Sequence, residues 1–181
     1  MRPGVCVWGR YSASNADGGG TRWYRPRMAA SPLEGIFWIG DRSWPVLGPL
    51  MRVHAWIYRV TGGRLGKRIP GVPPMLLLDH VGARSGKLRT TPLVYMPEGD
   101  RIIVVAAKGG HPKNPAWLYN LRAHPDTAVQ IGDRRIDVHA READSEERRT
   151  LWPKALAYTA HWRRYDRRST RAIPLLILEP L

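Results

Sequence analysis

Residues 90–107 read TTPLVYMPEGDRIIVVAA and contain two apolar runs separated by a short polar interruption. The runs 90–96 and 101–107 are rich in the β-branched and aromatic residues that favour strands. The interruption, Pro97-Glu98-Gly99-Asp100, has the composition of a tight turn. The stretch therefore predicts a β-hairpin.

Similar signals continue on both sides of this hairpin. A helix is predicted over 114–123, with Asn114 as its N-cap and Pro115 in its first turn, and another helix runs from Ser145, as N-cap, to about residue 157. Most strands are joined by hairpins rather than long crossovers, which favours a mainly β fold with flanking helices, built as a small antiparallel barrel. The further predicted strands are 75–78, 127–131, 134–141 and 173–178.

The first third of the chain is organised differently. Residues 1–32 are rich in Gly, Ser and Arg and show no strand or helix period. They predict a disordered leader or a misassigned start, since Met28 and Met51 are also plausible initiators. Residues 33–69 predict an amphipathic N-terminal helical segment, and residues 70–181 predict the barrel domain.

Within the amphipathic segment, Pro45 and Pro49 are expected to interrupt the helix. Thr61-Gly62-Gly63 is expected to end it. Two interpretations stay open: the helix covers the core of the barrel domain, or it lies on an anionic membrane and makes peripheral contact through residues 33–60. Both rest on an apolar stripe at helical spacing, formed by Leu50, Val53, Ile57 and Val60.

Composition limits the classes of function. The net charge of +14 over 181 residues indicates an anionic partner, but no zinc-finger or RNP motif points to nucleic acid. The single cysteine, Cys6, excludes a disulfide framework, and the six histidines lack ligand spacing, so no metal site is predicted. No apolar run reaches the roughly 18 to 20 residues that span a bilayer. We expect a cytoplasmic protein, or one held peripherally at the inner face of the plasma membrane.

One candidate site is the stretch 82–92, which reads GARSGKLRTTP and combines three cations with hydroxyl groups. Glycines let the backbone approach an anion closely, and Arg84 and Arg89 can each bond two oxygens of a phosphate or carboxylate. The spacing of a Walker loop is absent. The stretch predicts either an anion site or an ordinary charged hairpin.

A second candidate is the stretch 106–117, AAKGGHPKNPAW, where a strand end meets two glycines and the start of a helix. Backbone N–H groups at the glycines and the helix start can bond an anion or the carbonyls of a ring. Small Ala106 and Ala107 leave room for a flat ring. An ordinary strand–loop–helix connection is the alternative.

A third candidate is a group of aromatic side chains near the C-terminus. Such side chains suit the wall of a pocket for a planar substrate, or else a helix core. Motifs of serine hydrolases and zinc proteases are absent. The group consists of Trp152, Tyr158, His161, Trp162 and Tyr165.

Three stretches together carry a resemblance to a known family: GARSGKLRTTPLVY, VVAAKGGHPKNPAWLYNLRAHPDTAVQIGDRRIDVHAREADSEERRTLWP, and the closing RAIPLLILEP. From about residue 50 to 180 the chain resembles the deazaflavin-dependent nitroreductase family, also described as quinone reductases that use reduced coenzyme F420. The resemblance implies a split β-barrel, similar to the FMN-binding barrels. It also implies hydride transfer from reduced coenzyme F420 to a quinone, nitroaromatic or activated alkene.

The resemblance further implies a set of site residues. The anionic tail of the coenzyme would meet the 82–92 hairpin, and its flat ring would lie along the following strand and loop. Tyr165 is implied as the catalytic proton donor or orienting residue, and the substrate pocket as Val94, Thr159, Trp162 and Tyr165. The implied cofactor-binding residues are Arg84, Ser85, Gly86, Lys87, Arg89, Thr91, Pro92, Ala106, Ala107, Lys108, Gly109, Gly110, Asn114, Trp117 and Asn120.

The chain departs from the family pattern at several of these positions. Ala83 stands where one of a basic pair is usual, and Val94, Thr159 and Trp162 replace aromatic side chains of the nitroreductases. Quinone reduction is therefore favoured over reduction of bicyclic nitro compounds. Two alternatives stay open: the same barrel using FMN, and a non-catalytic protein that binds a deazaflavin or another anion. The resemblance leaves the oligomeric state open.

Overall fold

The computed structural model describes residues 44–66 and 73–181. The predicted leader, residues 1–32, lies outside this part of the chain. So do residues 33–43 and 67–69 of the predicted amphipathic segment. For residues 44–47 only the backbone is described.

Six antiparallel strands close into a barrel in the order β1-β2-β3-β6-β5-β4. Among the described residues, four α-helices and one 3-10 turn accompany the barrel. This architecture confirms the predicted class, a mainly β split barrel with flanking helices. The elements in chain order are α1 (Trp44–Val60), β1 (Met75–Val81), β2 (Leu88–Glu98), β3 (Arg101–Val105), the turn Lys108–Gly110, α2 (Ala116–Ala123), β4 (Asp126–Ile131), β5 (Arg134–Glu142), α3 (Ser145–Tyr158), α4 (Ala160–Arg168) and β6 (Leu175–Pro180).

The predicted hairpin is present, with a tighter turn than expected. Strand β2 pairs with β3 until Glu98 lies opposite Arg101, so only Gly99 and Asp100 form the turn. Gly99 has a φ of 61°, which only glycine adopts without strain. At the other end β3 stops at Val105: the N–H of Ala106 still bonds to the carbonyl of Pro174, but proline has no N–H with which to continue the ladder.

Both faces of β3 are buried, which explains why its sequence is an unbroken apolar run. Ile102 and Val104 point into the barrel, where Trp117 of α2 also packs. Ile103 and Val105 point outward into a second cluster. That outer cluster is covered by α3 and α4 through Leu151, Ala155 and Trp162.

The caps predicted for two helices are wrong. Helix α2 begins at Ala116 with Pro115, not Asn114, in the extended N-cap position. Helix α3 begins at Ser145, and its N-cap is Asp144, whose carboxylate accepts bonds from the N–H groups of Glu146 and Glu147. The carboxylate of Glu147 accepts in return from the N–H of Asp144, which completes a capping box that a serine one position later cannot form.

Helix α4 was not predicted. Its sequence, AHWRRYDRR, is nine residues long, strongly polar and buries only Trp162, so it offers too few apolar residues for a helical repeat to be recognised. The helix is fixed at its start by Thr159, whose hydroxyl accepts a bond from the N–H of His161.

Helix α1 packs on the barrel, but through a different face from the predicted stripe. The interruption expected at Pro45 and Pro49 is wrong, because both lie within the first two turns, where a missing N–H removes few hydrogen bonds. The buried residues are Ala55 and Tyr58, which meet Leu77 of β1. Leu50, Val53 and Val60 of the stripe are more than half exposed, and Ile57 is half-buried.

A buried hydroxyl determines this orientation of α1. Tyr58, fully buried, donates to the carbonyl of Met75 and accepts from the N–H of Gly132, each over 2.9 Å. The glycines predicted to end α1 do so, and the N–H of Gly63 bonds to the carbonyl of Tyr58. Across residues 44–66 and 73–181, none of the helices has the length and apolar character to cross a bilayer.

Candidate functional site

The hairpin between β1 and β2 is a compact turn built on Gly82. The N–H of Gly82 bonds to the carbonyl of Lys87, and the N–H of Gly86 bonds back to the carbonyl of Gly82. A Cβ on Gly82 would lie 2.5 Å from the hydroxyl oxygen of Ser85, closer than real Cβ atoms come. Glycine at this position therefore lets Ser85 fold in over the strand ends.

Three cations on this hairpin have no anionic partner in the part of the chain that the structure describes. Arg84, Lys87 and Arg89 are exposed, and none of them forms an ion pair within the described ranges. Other arginines of the barrel are compensated, as Arg141 is by Glu147 and Glu179. The hairpin therefore carries concentrated positive charge that is available to an anion.

A buried polar network lies directly behind the hairpin. The N–H of Ala83 bonds to Asn120 of α2 over 2.9 Å, and Asn120 bonds to Nδ1 of His80 over 2.8 Å. The other nitrogen of His80 lies 2.9 Å from the hydroxyl of Thr91. The structure thus brings together Thr91 and Asn120, two predicted site residues, through His80, which the sequence analysis missed.

The second predicted stretch forms a loop in an unusual backbone conformation. Lys108, Gly109 and Gly110 all have positive φ, at 47°, 69° and 86°. Lys108 is the non-glycine residue among them, and strain of this kind is often found at functional sites. A Cβ on Gly110 would lie 3.1 Å from the carbonyl oxygen of Tyr165, so the glycine allows α4 to approach this loop. Ala106 and Ala107 are buried.

Arg171 holds this loop in place and was not predicted. Its guanidinium donates to the carbonyl of His111 over 3.2 Å and to that of Ala106 over 3.0 Å. Burial lowers the pKa of this guanidinium. One sequence feature could have indicated this role: Arg171 lies shortly before β6, and because β6 pairs with β3, it comes close to the loop that follows β3.

The loop ends on an acceptor atom that has no donor. The Oδ1 atom of Asn114 is buried and has no hydrogen-bond partner among residues 44–66 and 73–181. A buried unpaired acceptor costs about 1–3 kcal/mol. An N–H group of a bound ring would satisfy it, which fits the prediction that Asn114 contacts a cofactor.

The predicted substrate pocket is only partly open. Val94 and Tyr165 are half-buried and pack against the outer cluster that contains Ala107 and Trp162. Trp162 is itself buried, and Thr159 is buried and caps α4. Trp117, predicted to face the cofactor, lies in the barrel core.

Two shallow cavities lie away from all of these residues. One, of about 210 Å³, is lined by residues near the β2–β3 turn, including Tyr95 and Ile136. The other, of about 140 Å³, lies beside Arg122 and Ala140. Neither is lined by a predicted site residue. The candidate site is the cradle formed by the hairpin and the loop.

Comparisons with known proteins show what the chain is similar to. The model of a family described as F420H(2)-dependent quinone reductase matches residues 50–180. An F420H(2)-dependent quinone reductase of Mycobacterium tuberculosis is 41% identical over 132 residues, which are 71% of this chain and 89% of that protein. The solved structure of an F420-H2 dependent reductase is 39% identical and covers 59% of this chain and 94% of its own, with a TM-score of 0.54. Another structure, described as a domain-swapped dimer, is 33% identical and covers 75% and 99%, with a TM-score of 0.56.

Proposed function

Because the chain belongs to the F420H(2)-dependent quinone reductase family, we propose that it transfers a hydride from reduced coenzyme F420 to a quinone. It is an F420H2-dependent oxidoreductase. When bound, the reduced coenzyme supplies a hydride, and the quinone takes up that hydride and one proton to become a hydroquinone. The protein has to bind the coenzyme, align the acceptor and provide the proton.

The observation that carries the proposal is the uncompensated charge of the hairpin. The tail of coenzyme F420 bears a phosphate and several glutamates. Arg84, Lys87 and Arg89 are exposed and unpaired within the described ranges, so they can bond these anions without breaking an existing ion pair. Binding of an uncharged substrate alone would not account for three neighbouring cations without a described ion-pair partner.

The second stretch fits the ring of the coenzyme. The orphaned Oδ1 of Asn114 can accept a bond from a ring N–H. Ala106 and Ala107 are buried in the two packed clusters, and Arg171 fixes their carbonyl groups at the edge of the loop. This cradle favours a flat, hydrogen-bonding ring held at the edge of the barrel.

We assign to Tyr165 the role of proton donor to the acceptor. It is half-buried on α4, and its backbone lies against Gly110 of the loop. Its ring packs near the outer cluster beside Ala107. A phenol at this place can hold or deliver a proton at the acceptor oxygen. We include nitroaromatics and activated alkenes as secondary acceptors of the same site.

We also propose that α1 makes peripheral contact with an anionic membrane, from which a lipid-soluble quinone could be drawn. On the face of α1 that does not contact the barrel, Val53 is 53% exposed and Trp56 is 66% exposed. Arg52 beside them is exposed, and the chain carries a net charge of +14. An apolar face flanked by cations is typical of helices that lie on anionic lipid.

Vesicle co-sedimentation tests this membrane contact. Wild-type protein is expected to sediment with vesicles containing anionic lipid, and Trp56→Glu to remain in the supernatant. Leu181→Glu, which changes another exposed apolar residue away from α1, serves as the control. Equal sedimentation of all three proteins would remove the proposal for α1.

A titration of the purified protein with oxidised coenzyme F420 tests the proposed function, with tryptophan fluorescence as the signal and FMN in parallel. We expect saturable binding of the deazaflavin and weak binding of FMN. Oxidation of the reduced coenzyme by a soluble quinone is then followed by absorbance. Preference for FMN would contradict the cofactor, and binding without turnover would favour a carrier protein.

A further inference from the structure

The buried network behind the hairpin connects four groups in a fixed order. They are the N–H of Ala83, the amide of Asn120, the ring of His80 and the hydroxyl of Thr91, at separations of 2.9, 2.8 and 2.9 Å. They come from the hairpin, α2, β1 and β2. His80 and Asn120 are only 3% and 7% exposed, so water does not compete for these bonds.

The direction of every hydrogen bond in this network follows from its first member. A backbone N–H can only donate, so the oxygen of the Asn120 amide must face Ala83. The NH₂ group of Asn120 then faces His80, and Nδ1 of that ring must accept. A neutral ring that accepts at Nδ1 carries its proton on Nε2, which therefore donates to the hydroxyl oxygen of Thr91.

The surroundings of His80 keep the ring neutral. Burial and the nearby charge of Arg89 lower its pKa to about 4. The charge of Asp79 acts in the opposite direction, but Arg59 and Arg135 hold that carboxylate on the other side of β1. At neutral pH the ring therefore keeps one proton and one orientation.

This arrangement leaves the hydroxyl proton of Thr91 without an acceptor among the described residues. Its oxygen already accepts from His80. Thr91 is half-buried and lies on the same face of β2 as Arg89, one of the exposed cations of the hairpin. The hydroxyl is thus a donor at the inner edge of the candidate site.

We propose that His80 is a positioning residue, which makes the Thr91 hydroxyl a hydrogen-bond donor to an oxygen of the bound coenzyme. His80 acts through Thr91 and does not contact the ligand itself. The site is consequently selective for a carbonyl or anionic oxygen at this point and selects against an N–H. This inference rests on the proposed binding of coenzyme F420.

Nitrogen NMR of histidine-labelled protein without coenzyme tests the network by itself. The signals of His80 are assigned by their loss in His80→Gln. We expect a neutral ring protonated on Nε2 that does not titrate between pH 8 and about pH 5, because its pKa is about 4. A ring protonated on Nδ1, or one that titrates near its ordinary pKa of 6.5, would overturn the proposal.

Titrations with oxidised coenzyme F420 test the role of the network in binding. His80→Leu and Thr91→Val should each weaken affinity about fivefold to tenfold, the effect of one lost hydrogen bond. Because His80 acts through Thr91, the double variant should be no weaker than Thr91→Val alone. His80→Gln, which can keep an amide N–H near the same place, should recover most of the affinity. His139→Gln is the control, since His139 is a partly exposed residue of β5 that bonds only to Asp126 among the described residues.

The outcomes separate this inference from the proposed function. Absence of coenzyme binding by the wild-type protein would overturn both. Normal binding by the wild type and by folded His80→Leu would overturn only the role of His80. Losses that add in the double variant would show that His80 supports the fold independently of Thr91, and would also overturn it. Thermal unfolding of each variant confirms that the protein measured is folded.

Discussion

The two sides of strand β1 use charge in opposite ways. On the outer side, beneath α1, the buried carboxylate of Asp79 is bonded to Arg59, Arg135 and Thr90. On the inner side the next residue, His80, is neutral and bonded only to neutral groups, while the cations of the adjacent hairpin have no described partner.

The difference separates a structural site from the proposed binding site on neighbouring residues. Charges that are matched inside the protein hold α1, β1 and β5 together and offer nothing to a ligand. Charges left unmatched beside a rigid neutral network cost little at the surface and can be used by an incoming anion. Changes on the outer side should therefore lower stability, and changes at the hairpin should lower affinity.

The largest expected effect is the dependence of stability on pH through His80. In the unfolded chain this residue has its ordinary pKa of 6.5, whereas in the folded protein the pKa is about 4. As the pH falls from 6.5 to 4 the unfolded state takes up a proton that the folded state does not, so stability decreases. The shift corresponds to about 3 kcal/mol.

Urea unfolding at a series of pH values measures this effect. The wild type should lose more stability than His80→Gln over the window between pH 6.5 and 4, and the two curves should run parallel below it. Parallel curves throughout the whole range would mean that the folded and unfolded proteins protonate this histidine alike.

The next largest effect is the loss of the carboxylate on the outer side of β1. Asp79→Ala removes the partner of two arginines, and breaking a buried pair in this way destabilises proteins by about 3 kcal/mol. Arg59 and Arg135 are 39% and 58% exposed, so they can be hydrated and the loss should be nearer 2 kcal/mol. Coenzyme affinity should change little.

Urea unfolding at pH 7 is the measurement, with Glu146→Gln as the control because its pair with Arg149 is exposed on both sides. The control should change stability by less than about 0.5 kcal/mol. Burial would raise the pKa of Asp79, but bonds from Thr90, Arg59 and Arg135 outweigh it and hold that pKa below 3.8. Its contribution to stability is therefore present above pH 3.8 and is lost as the pH falls through the folded-state pKa.

The barrel could be predicted from the sequence because its signals are local. The runs that form β2 and β3, and the Gly and Asp between them, specify strands and turns within a few residues. The hairpin at 82–87 and the strained loop at 108–110 were found for the same reason, since their glycines mark them. The positions of most strands and helices were thus predicted better than the exact residues at which they begin and end.

The features that the sequence did not predict depend on contacts between residues that are far apart in the chain. Nothing near Tyr58 indicates that its hydroxyl will bond to Gly132, 74 positions away, yet this bond determines which face of α1 is buried. His80 likewise acquires its role from Asn120, 40 positions away. Asp144 and Ser145 are both good caps by type, and only the packed backbone decides between them.

The third prediction concerns the unmatched side of the comparison. The double variant Lys87→Gln with Arg89→Gln should bind oxidised coenzyme F420 at least about tenfold more weakly, since two charge-assisted bonds are lost. The difference in coenzyme affinity between the double variant and the wild type should decrease as salt is added, because salt screens these charges. Stability should be unchanged because neither side chain has an ion-pair partner in the described structure.

Arg64→Gln is the matched control, an exposed arginine on the turn after α1, away from the hairpin. It removes a charge of the same kind and should leave affinity nearly unaffected. If Arg64→Gln weakened binding as much as the double variant, general attraction by the basic chain rather than the hairpin would explain coenzyme binding.

The smallest expected effect is at Asn114, where stability and binding should move in opposite directions. Its buried Oδ1 has no partner in the free protein, so Asn114→Ala should leave stability unchanged or raise it by up to about 1 kcal/mol. The same change should weaken coenzyme binding about fivefold, because the ring N–H that we propose to pair with Oδ1 would lose its acceptor. Thermal unfolding and fluorescence titration of one preparation measure both quantities. A variant that is less stable and binds normally would mean that Asn114 belongs, like Asp79, to the structural side of the comparison.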